Sequence, residues 1–279
     1  MSGDKQSEGA SIEVLVADGP VRLALQPDGV AHVKLARPEA SNGLDMALLK
    51  AFHAVLMRVQ GDGRVRAMLL TGEGKHFCAG GDVHTFLSKG EALPEYIRAA
   101  TAYLQQVVAL MMRLNAPVVT AVQGFAAGGG GMGLVCSSDI VVAGESTRFL
   151  AGATRVAMVP DAGVSVTLTQ LVGFRRAMDV LLFNPVIDAA EALRIGLVTR
   201  VVADDRIEAE ALQLARTLAA GAPAALAATK RLLWAGIGQG VDAAMPEENQ
   251  TQAQLAGMKD ALEGLSAVIE RRVPRFTGR

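Results

Sequence analysis

Three short stretches of this chain carry residue types that could do chemistry. The first is His76-Phe77-Cys78-Ala79-Gly80-Gly81-Asp82-Val83-His84. It offers His, Cys, Asp and His close together. Zinc ligands usually come as CxxC or as HxxxH on one helix face, and this spacing matches neither. The alternatives are a plain surface loop, or a tight Ala-Gly-Gly turn with outward-facing backbone N–H groups in which Asp82 holds the start of the next helix. The second stretch is Gly124-Phe125-Ala126-Ala127-Gly128-Gly129-Gly130-Gly131-Met132-Gly133, with GxGxxG at Gly128, Gly130 and Gly133. A dinucleotide site would want an acid about twenty residues on, at the end of the next strand. Here the next apolar run ends near Glu145, about twelve residues on, and the motif lies mid-chain. What the glycines do provide is open backbone N–H at a helix N-terminus, a place for an anionic oxygen. The third is Val159-Pro160-Asp161-Ala162-Gly163. An acid in a Pro/Gly turn before a helix is either an N-cap or, if it lies near the glycine loop, an acid or base. There is no GxSxG or HExxH motif. Ser137-Ser138 have no assigned His partner, and the four His read as ordinary surface or core groups.

The elements that must position these stretches follow from periodicity. Val14–Val16, Val21–Leu25 and Ala31–Leu35 read as an opening antiparallel unit, with Pro27-Asp28-Gly29 as a turn. Asp45 is a candidate N-cap for a helix from Met46 to about Gln60. Ala67–Leu70, Val118–Val122, Ile140–Ala143 and Val198–Val202 read as strands. Helices are expected at about Pro94–Leu114, Val164–Val172, Arg175–Leu182 and Ala189–Ile195, and almost continuously from Arg206 to about Arg272. Strands alternating with helices imply a largely parallel inner sheet.

Composition bounds the rest. The chain has 279 residues, 27 Lys+Arg, 28 Asp+Glu and a formal net charge of −1. Neither charge sign is in excess, so nucleic acid and anionic membrane surfaces are not expected partners. Apolar residues make up 51%, enough for a large core, yet aromatics are only 4%, so that core must be Val, Leu, Ala and Met. Leu114 to Ser138 runs 25 residues without a charge, but Pro117, Gln123 and six glycines make it a poor membrane helix. It reads instead as strand, glycine loop and helix. Only Cys78 and Cys136 are present and residues 1–11 are polar, so the expected setting is a reducing cytoplasm. The expected division is a mobile tail at 1–11, a core at 12–203 and a helical region at 204–279.

Taken in order, LARPEASNGLDMALL, LLTGEGKHFCAGGDV, PVVTAVQGFAAGGGGMGL, SSDIVVAGESTRF and VPDAG, with the tail ending RRVPRFTGR, resemble the enoyl-CoA hydratase/isomerase (crotonase) family. The resemblance runs from about Val14 to Arg279. VPDAG and PRFTG look closest to ring-epoxide isomerases of phenylacetyl-CoA breakdown and to 3-enoyl to 2-enoyl-CoA isomerases.

The resemblance implies an α/β fold, a crotonase-like spiral of ββα units with a C-terminal helical trimerisation region, assembled as a homotrimer or dimer of trimers. It implies an acyl-CoA thioester as substrate, coenzyme A being part of that substrate, with no other cofactor and no metal. Two backbone N–H groups, at Gly81 and Gly130, would hold the thioester oxygen. The glycine loop is one residue longer than the usual pattern, which makes Gly129 a possible substitute donor. Ala79 and Gly80 would face the adenine, Arg37 and the cluster Arg271, Arg272 and Arg275 could meet phosphates, and Asp82, Gly133 and Ala153 would lie along the substrate.

Removing a proton beside a thioester carbonyl places charge on that oxygen, and preorganised donors in comparable sites are each worth roughly 3–4 kcal/mol. The departures from the family pattern matter more. Its hydratases use two glutamates, and the matching positions here are Gly133 and Ala153. Ordinary hydration would therefore lack its acid and its base. Isomerase-type members carry an acid where Asp161 stands, and one carboxylate can carry a proton from C2 to C4 of an enolate. Apolar neighbours Val156, Met158, Val159 and Val164 would raise its pKa. The expected activity is thus acyl-CoA isomerisation. The alternatives are thioester hydrolysis, decarboxylation, or a catalytically silent acyl-CoA-binding subunit. Small residues Ala126, Ala127, Gly133 and Ala153 suggest room for a bulky acyl group.

Overall fold

The computed structural model describes residues 11–279; the tail expected at 1–11 falls, save for Ser11, outside the described residues. The chain opens with β1 (Glu13–Val16), β2 (Val21–Leu25) and β3 (Val30–Leu35), paired antiparallel as the turn signal at Pro27-Asp28-Gly29 predicts. There follow α1 (Met46–Gly61), β4 (Ala67–Gly72), α2 (Val83–Ser88), α3 (Leu93–Arg113), β5 (Val118–Val122), β6 (Phe125–Ala127), α4 (Gly128–Cys136), β7 (Ile140–Gly144) and β8 (Arg148–Leu150). Next come α5 (Val164–Val172), α6 (Phe174–Phe183), β9 (Ile187–Asp188), α7 (Ala189–Arg194) and β10 (Arg200–Val202). Four helices end the chain: α8 (Ile207–Ala219), α9 (Pro223–Ala235), α10 (Val241–Ala256) and α11 (Lys259–Glu270).

The large sheet has the order β1-β2-β3-β4-β5-β7-β10 and is parallel from β3 onward. Its inner strands AMLL and VVTAV are apolar at nearly every position, as strands covered on both faces must be. A small sheet, β6-β8-β9, lies beside it. The chain visits the two in turn: β5, β6, then helix α4; β7, β8, then helices α5 and α6. This is the spiral of two strands and a helix. The small sheet is not legible by periodicity, because its strands are only three, three and two residues long.

One face of the large sheet packs against α1, α3 and α4, with Phe52, Leu56, Val107 and Met111 fully buried. The other face, through Val30, Ala67, Leu69, Val119, Ala121 and Val142, is covered by α8. Ala211, Ala215 and Ala219 repeat every fourth residue along α8, giving it a narrow side that sits close to the strands. The division expected at 203/204 therefore cuts between the sheet and the helix that covers it.

Beyond α8, Lys230 anchors α9 to the core. Its buried ammonium is 2.7 Å from Asp139 Oδ2 and donates to the carbonyls of Met111 and Ala116, while Trp234 Nε1 donates to Asp139 Oδ1. The last residues fold back: Asp260 accepts from the N–H groups of Thr277 and Gly278 at 2.8 and 2.7 Å. The uncharged stretch at 114–138 is divided among β5, β6 and α4, and no helix among the described residues is long and apolar enough to cross a membrane.

Candidate active site

Two of the three chemical stretches run side by side. Phe77 N–H donates to Gln123 O, Cys78 N–H to Phe125 O, and Ala127 N–H to Cys78 O at 2.9 Å. The loop after β4 is thereby strapped along β6, up to the start of α4. A second strap comes from the segment before α1. Leu44 N–H donates to Gly80 O at 2.7 Å, Ala79 N–H donates to Ser41 O at 3.0 Å, and Leu44 and Gly81 form a parallel bridge.

Asn42 locks this arrangement. It is fully buried with a left-handed φ of 54°, a conformation that Asn tolerates better than most residues. Its Nδ2 lies within hydrogen-bond distance of the carbonyls of Glu73, His76 and Phe77, and its Oδ1 accepts from Arg37 N–H.

The glycine run fits this crowding residue by residue. A Cβ on Gly129 would stand 1.8 Å from Asp161 Oδ1, one on Gly130 2.3 Å from Leu44 Cδ1, and one on Gly131 2.5 Å from Cys78 O. Gly128 has φ +65°. Gly80 of the facing loop (φ +88°) would place a Cβ 2.5 Å from Ala127 O. Bare backbone is what lets the two loops and the carboxyl meet.

The amides of interest are open. α4 starts at Gly128, its N-cap Ala127 has no side-chain oxygen to offer, and the first-turn N–H groups of a helix have no intrahelical partner. Among the described residues, neither Gly81 N–H nor Gly130 N–H donates to a protein acceptor. The two loops approach closely here: Gly81 N is 3.8 Å from where a Gly128 Cβ would stand, and Gly80 Cα is 3.6 Å from where a Gly130 Cβ would stand.

Asp161 reaches this place from the turn before α5. It does not cap that helix: the N-cap is Gly163, and the Asp161 carboxyl accepts no bond from α5. Burial pushes the carboxyl above its ordinary value, partly offset by its own backbone N–H. The neighbouring Ala162 is held at φ 52°, which turns its methyl onto Gly133: a Cβ there would lie 2.4 Å from Ala162 Cβ. The room that small residues suggest at position 133 is therefore filled. Ala153 is half-buried in a short 3-10 turn after Gly152, whose N–H donates to Asn184 Oδ1.

The other expected residues divide. Ala79 is exposed beside the loop, its N–H committed to Ser41. Asp82 caps α2, accepting from Thr85 N–H. Burial alone would raise its carboxyl, but the Thr85 N–H and the Arg37 guanidinium bring it below the ordinary value. Arg37, expected to meet phosphates, stands 2.9 Å from Asp82 Oδ2 and 3.3 Å from Asp45 Oδ2. Arg272 is likewise engaged, with Glu263 and Glu270.

Cys78 is buried, donates to Asn42 O, and has its thiol pushed up to about 12 by desolvation, so it is neither nucleophile nor ligand. Sequence reasoning missed Asn42, for which the Asn-Gly pair was the available signal. It also missed Phe86, whose ring would lie 2.4 Å from a Cβ on Gly81 and which packs edge-on to Tyr96.

Comparison with known proteins places this geometry among relatives. The family model described as enoyl-CoA hydratase/isomerase matches residues 26–279. A protein of Rhodobacter capsulatus named "Probable enoyl-CoA hydratase" is 37% identical over 252 residues, covering 90% of this chain and 96% of that one. The 1,2-epoxyphenylacetyl-CoA isomerase of Escherichia coli is 31% identical over 252 residues, with the same coverage of 90% and 96%. The crystal structure of an enoyl-CoA hydratase from Mycobacterium smegmatis superposes with a TM-score of 0.87 at 31% identity, covering 93% of this chain and 99% of that one.

Proposed function

The chain belongs to the enoyl-CoA hydratase/isomerase family, and on that premise we propose that it is an acyl-CoA isomerase that moves a double bond through a thioester enolate. The observation that carries this reading is the Asp161 carboxyl, half-buried, raised in pKa and set against Gly129, one residue from an open amide. In this reading the N–H groups of Gly81 and Gly130 hold the thioester oxygen as it becomes negative, each worth roughly 3–4 kcal/mol in the transition state. Ionised Asp161 takes a proton from C2 of a 3-enoyl thioester, and the electron pair moves toward the oxygen. The protonated carboxyl then delivers the proton to C4, and the double bond settles between C2 and C3. No water is consumed.

The lack of hydratase glutamates supports isomerisation over hydration. At 133, a Cβ would collide with the Ala162 methyl, so the missing acid is not merely absent but displaced. The exposed backbone at Ala79, beside buried Gly80, takes the adenine end. Exposed apolar side chains on α6 and α11, such as Phe174, Phe183, Val268 and Ile269, fit contact with further copies in a trimer.

The test is turnover of a 3-enoyl-CoA by the wild type and by Asp161→Asn. The expected outcome is a kcat about 10²–10⁴-fold lower in the variant with CoA-thioester binding retained. Undiminished turnover by Asp161→Asn would remove Asp161 as the proton carrier, and CoA release by the wild type would favour thioester hydrolysis.

A further inference from the structure

Arg37 lies on neither glycine loop, yet it touches the framework of one of them at three points. Its Nη1 donates to Gly43 O at 2.9 Å and is 3.3 Å from Asp45 Oδ2, while its Nη2 is 2.9 Å from Asp82 Oδ2. Glu39 stands further off, 3.8 Å from Nε. Asp45 and Asp82 are the N-caps of α1 and α2, and each divides its carboxylate in the same way. Asp45 Oδ1 accepts from Leu48 N–H at 2.8 Å and Asp82 Oδ1 from Thr85 N–H at 3.1 Å, so that the second oxygen of each is left for Arg37.

The two capped residues are also neighbours of the site. Leu44 and Gly81 form the bridge that joins their segments, and Asp45 and Asp82 are the residues that directly follow them. One cation therefore ties together both strands of that bridge one residue beyond Gly81. Without it, two half-buried carboxylates would face each other across the bridge and repel.

We propose that Arg37 is a positioning residue: by clamping Asp45 to Asp82 it fixes the direction of the Gly81 N–H, and it does not bind the phosphates of coenzyme A. This rests on the reading of Gly81 as a donor to the thioester oxygen. A planar guanidinium suits the task because its fork meets two carboxylates in fixed directions, which a lysine ammonium does not reproduce. A phosphate arriving here would meet Asp45, Asp82 and Glu39 already in place.

The test compares wild type, Arg37→Gln and Arg37→Lys on a 3-enoyl-CoA and on the same acyl group carried by pantetheine, which has no phosphate. Amide hydrogen exchange of residues 79–85 is measured alongside. In Arg37→Gln, kcat is expected to fall by about 10–100-fold, by the same factor on both thioesters, as a misplacement of a donor would cause. KM should stay within about threefold, the mark of an interaction lost in the transition state rather than in ground-state binding. Arg37→Lys should recover part of the loss, and exchange in 79–85 should quicken about tenfold or more in Arg37→Gln.

A loss confined to the CoA thioester and expressed in KM would overturn the proposal in favour of phosphate binding. Unchanged kcat with unchanged exchange would overturn it outright. If Arg37→Gln does not fold, Asp82→Asn breaks the same pair while keeping a good N-cap, and it is judged by the same outcomes. If the wild type turns over neither thioester, the isomerase reading fails by itself, and the exchange result still decides the role of Arg37.

Discussion

Around Gly81, nearly every polar group is committed. The Asn42 amide is shared among three carbonyls, Arg37 joins two helix caps, and backbone bonds strap the loop to its neighbours on both sides. Around Asp161 the opposite holds. Its carboxyl takes no bond from another side chain among the described residues, and its turn carries two alanines, Ala157 and Ala162, at positive φ beside exposed Val156 and Val159. The difference follows from what each group does in the proposed reaction. A donor to a developing oxyanion has one target and gains from being fixed before the charge appears. A carboxyl that serves two carbons in turn must stay free of side-chain partners that would hold it ionised or fix it in one direction.

The glycine run offers the sharpest way to break this contrast, because adjacent positions face the two regions. Gly129→Ala drives a methyl into Asp161 Oδ1, whereas Gly130→Ala meets the flexible end of Leu44. Gly129→Ala is expected to cost about 10²-fold or more in kcat, approaching loss of the acid itself. Gly130→Ala should cost about tenfold, since Leu44 can give way. Steady-state kinetics of the pair checks this, and equal losses would mean that the two regions are not separately tuned.

On the rigid side, Asn42→Ala removes the two N–H groups that the carbonyls of Glu73, His76 and Phe77 share, the last of these contacts being buried. The expected loss is about 2–3 kcal/mol of stability in urea unfolding.

On the acid side the effect is smaller and depends on pH. The folded-state pKa of Asp161 is raised, so at pH values between the unfolded and folded pKa the native state binds more protons than the unfolded chain. Its contribution to stability is fully present below the unfolded pKa and is lost as pH rises through the folded one. Asp161→Asn should therefore raise the Tm at neutral pH, with the gain vanishing below about pH 4. In the wild type, kcat/KM should show an acid limb above the ordinary carboxylate value.

Much of the frame was legible in the residues. Continuous apolar runs marked the buried parallel strands, and Asp45 before a periodic segment marked α1, which it caps through Leu48. The glycines of the two loops pointed to open amides. Three things were hidden, each for a physical reason. β6, β8 and β9 are too short to show a period. The partners of Arg37 are chosen by tertiary approach, and nothing in the local sequence pairs it with Asp45 and Asp82. The fate of position 133 depends on the backbone of a residue 29 places later, Ala162, whose methyl at positive φ lies against Gly133.

The most direct measurement is mass analysis of the products formed separately from a 3-enoyl-CoA and from the matching 2-enoyl-CoA. Isomerisation through a held enolate predicts that each thioester converts into the other with no change in mass. Accumulation of a product heavier by one water would contradict it, since that would require a water-activating acid and base that Gly133 and Ala153 do not supply.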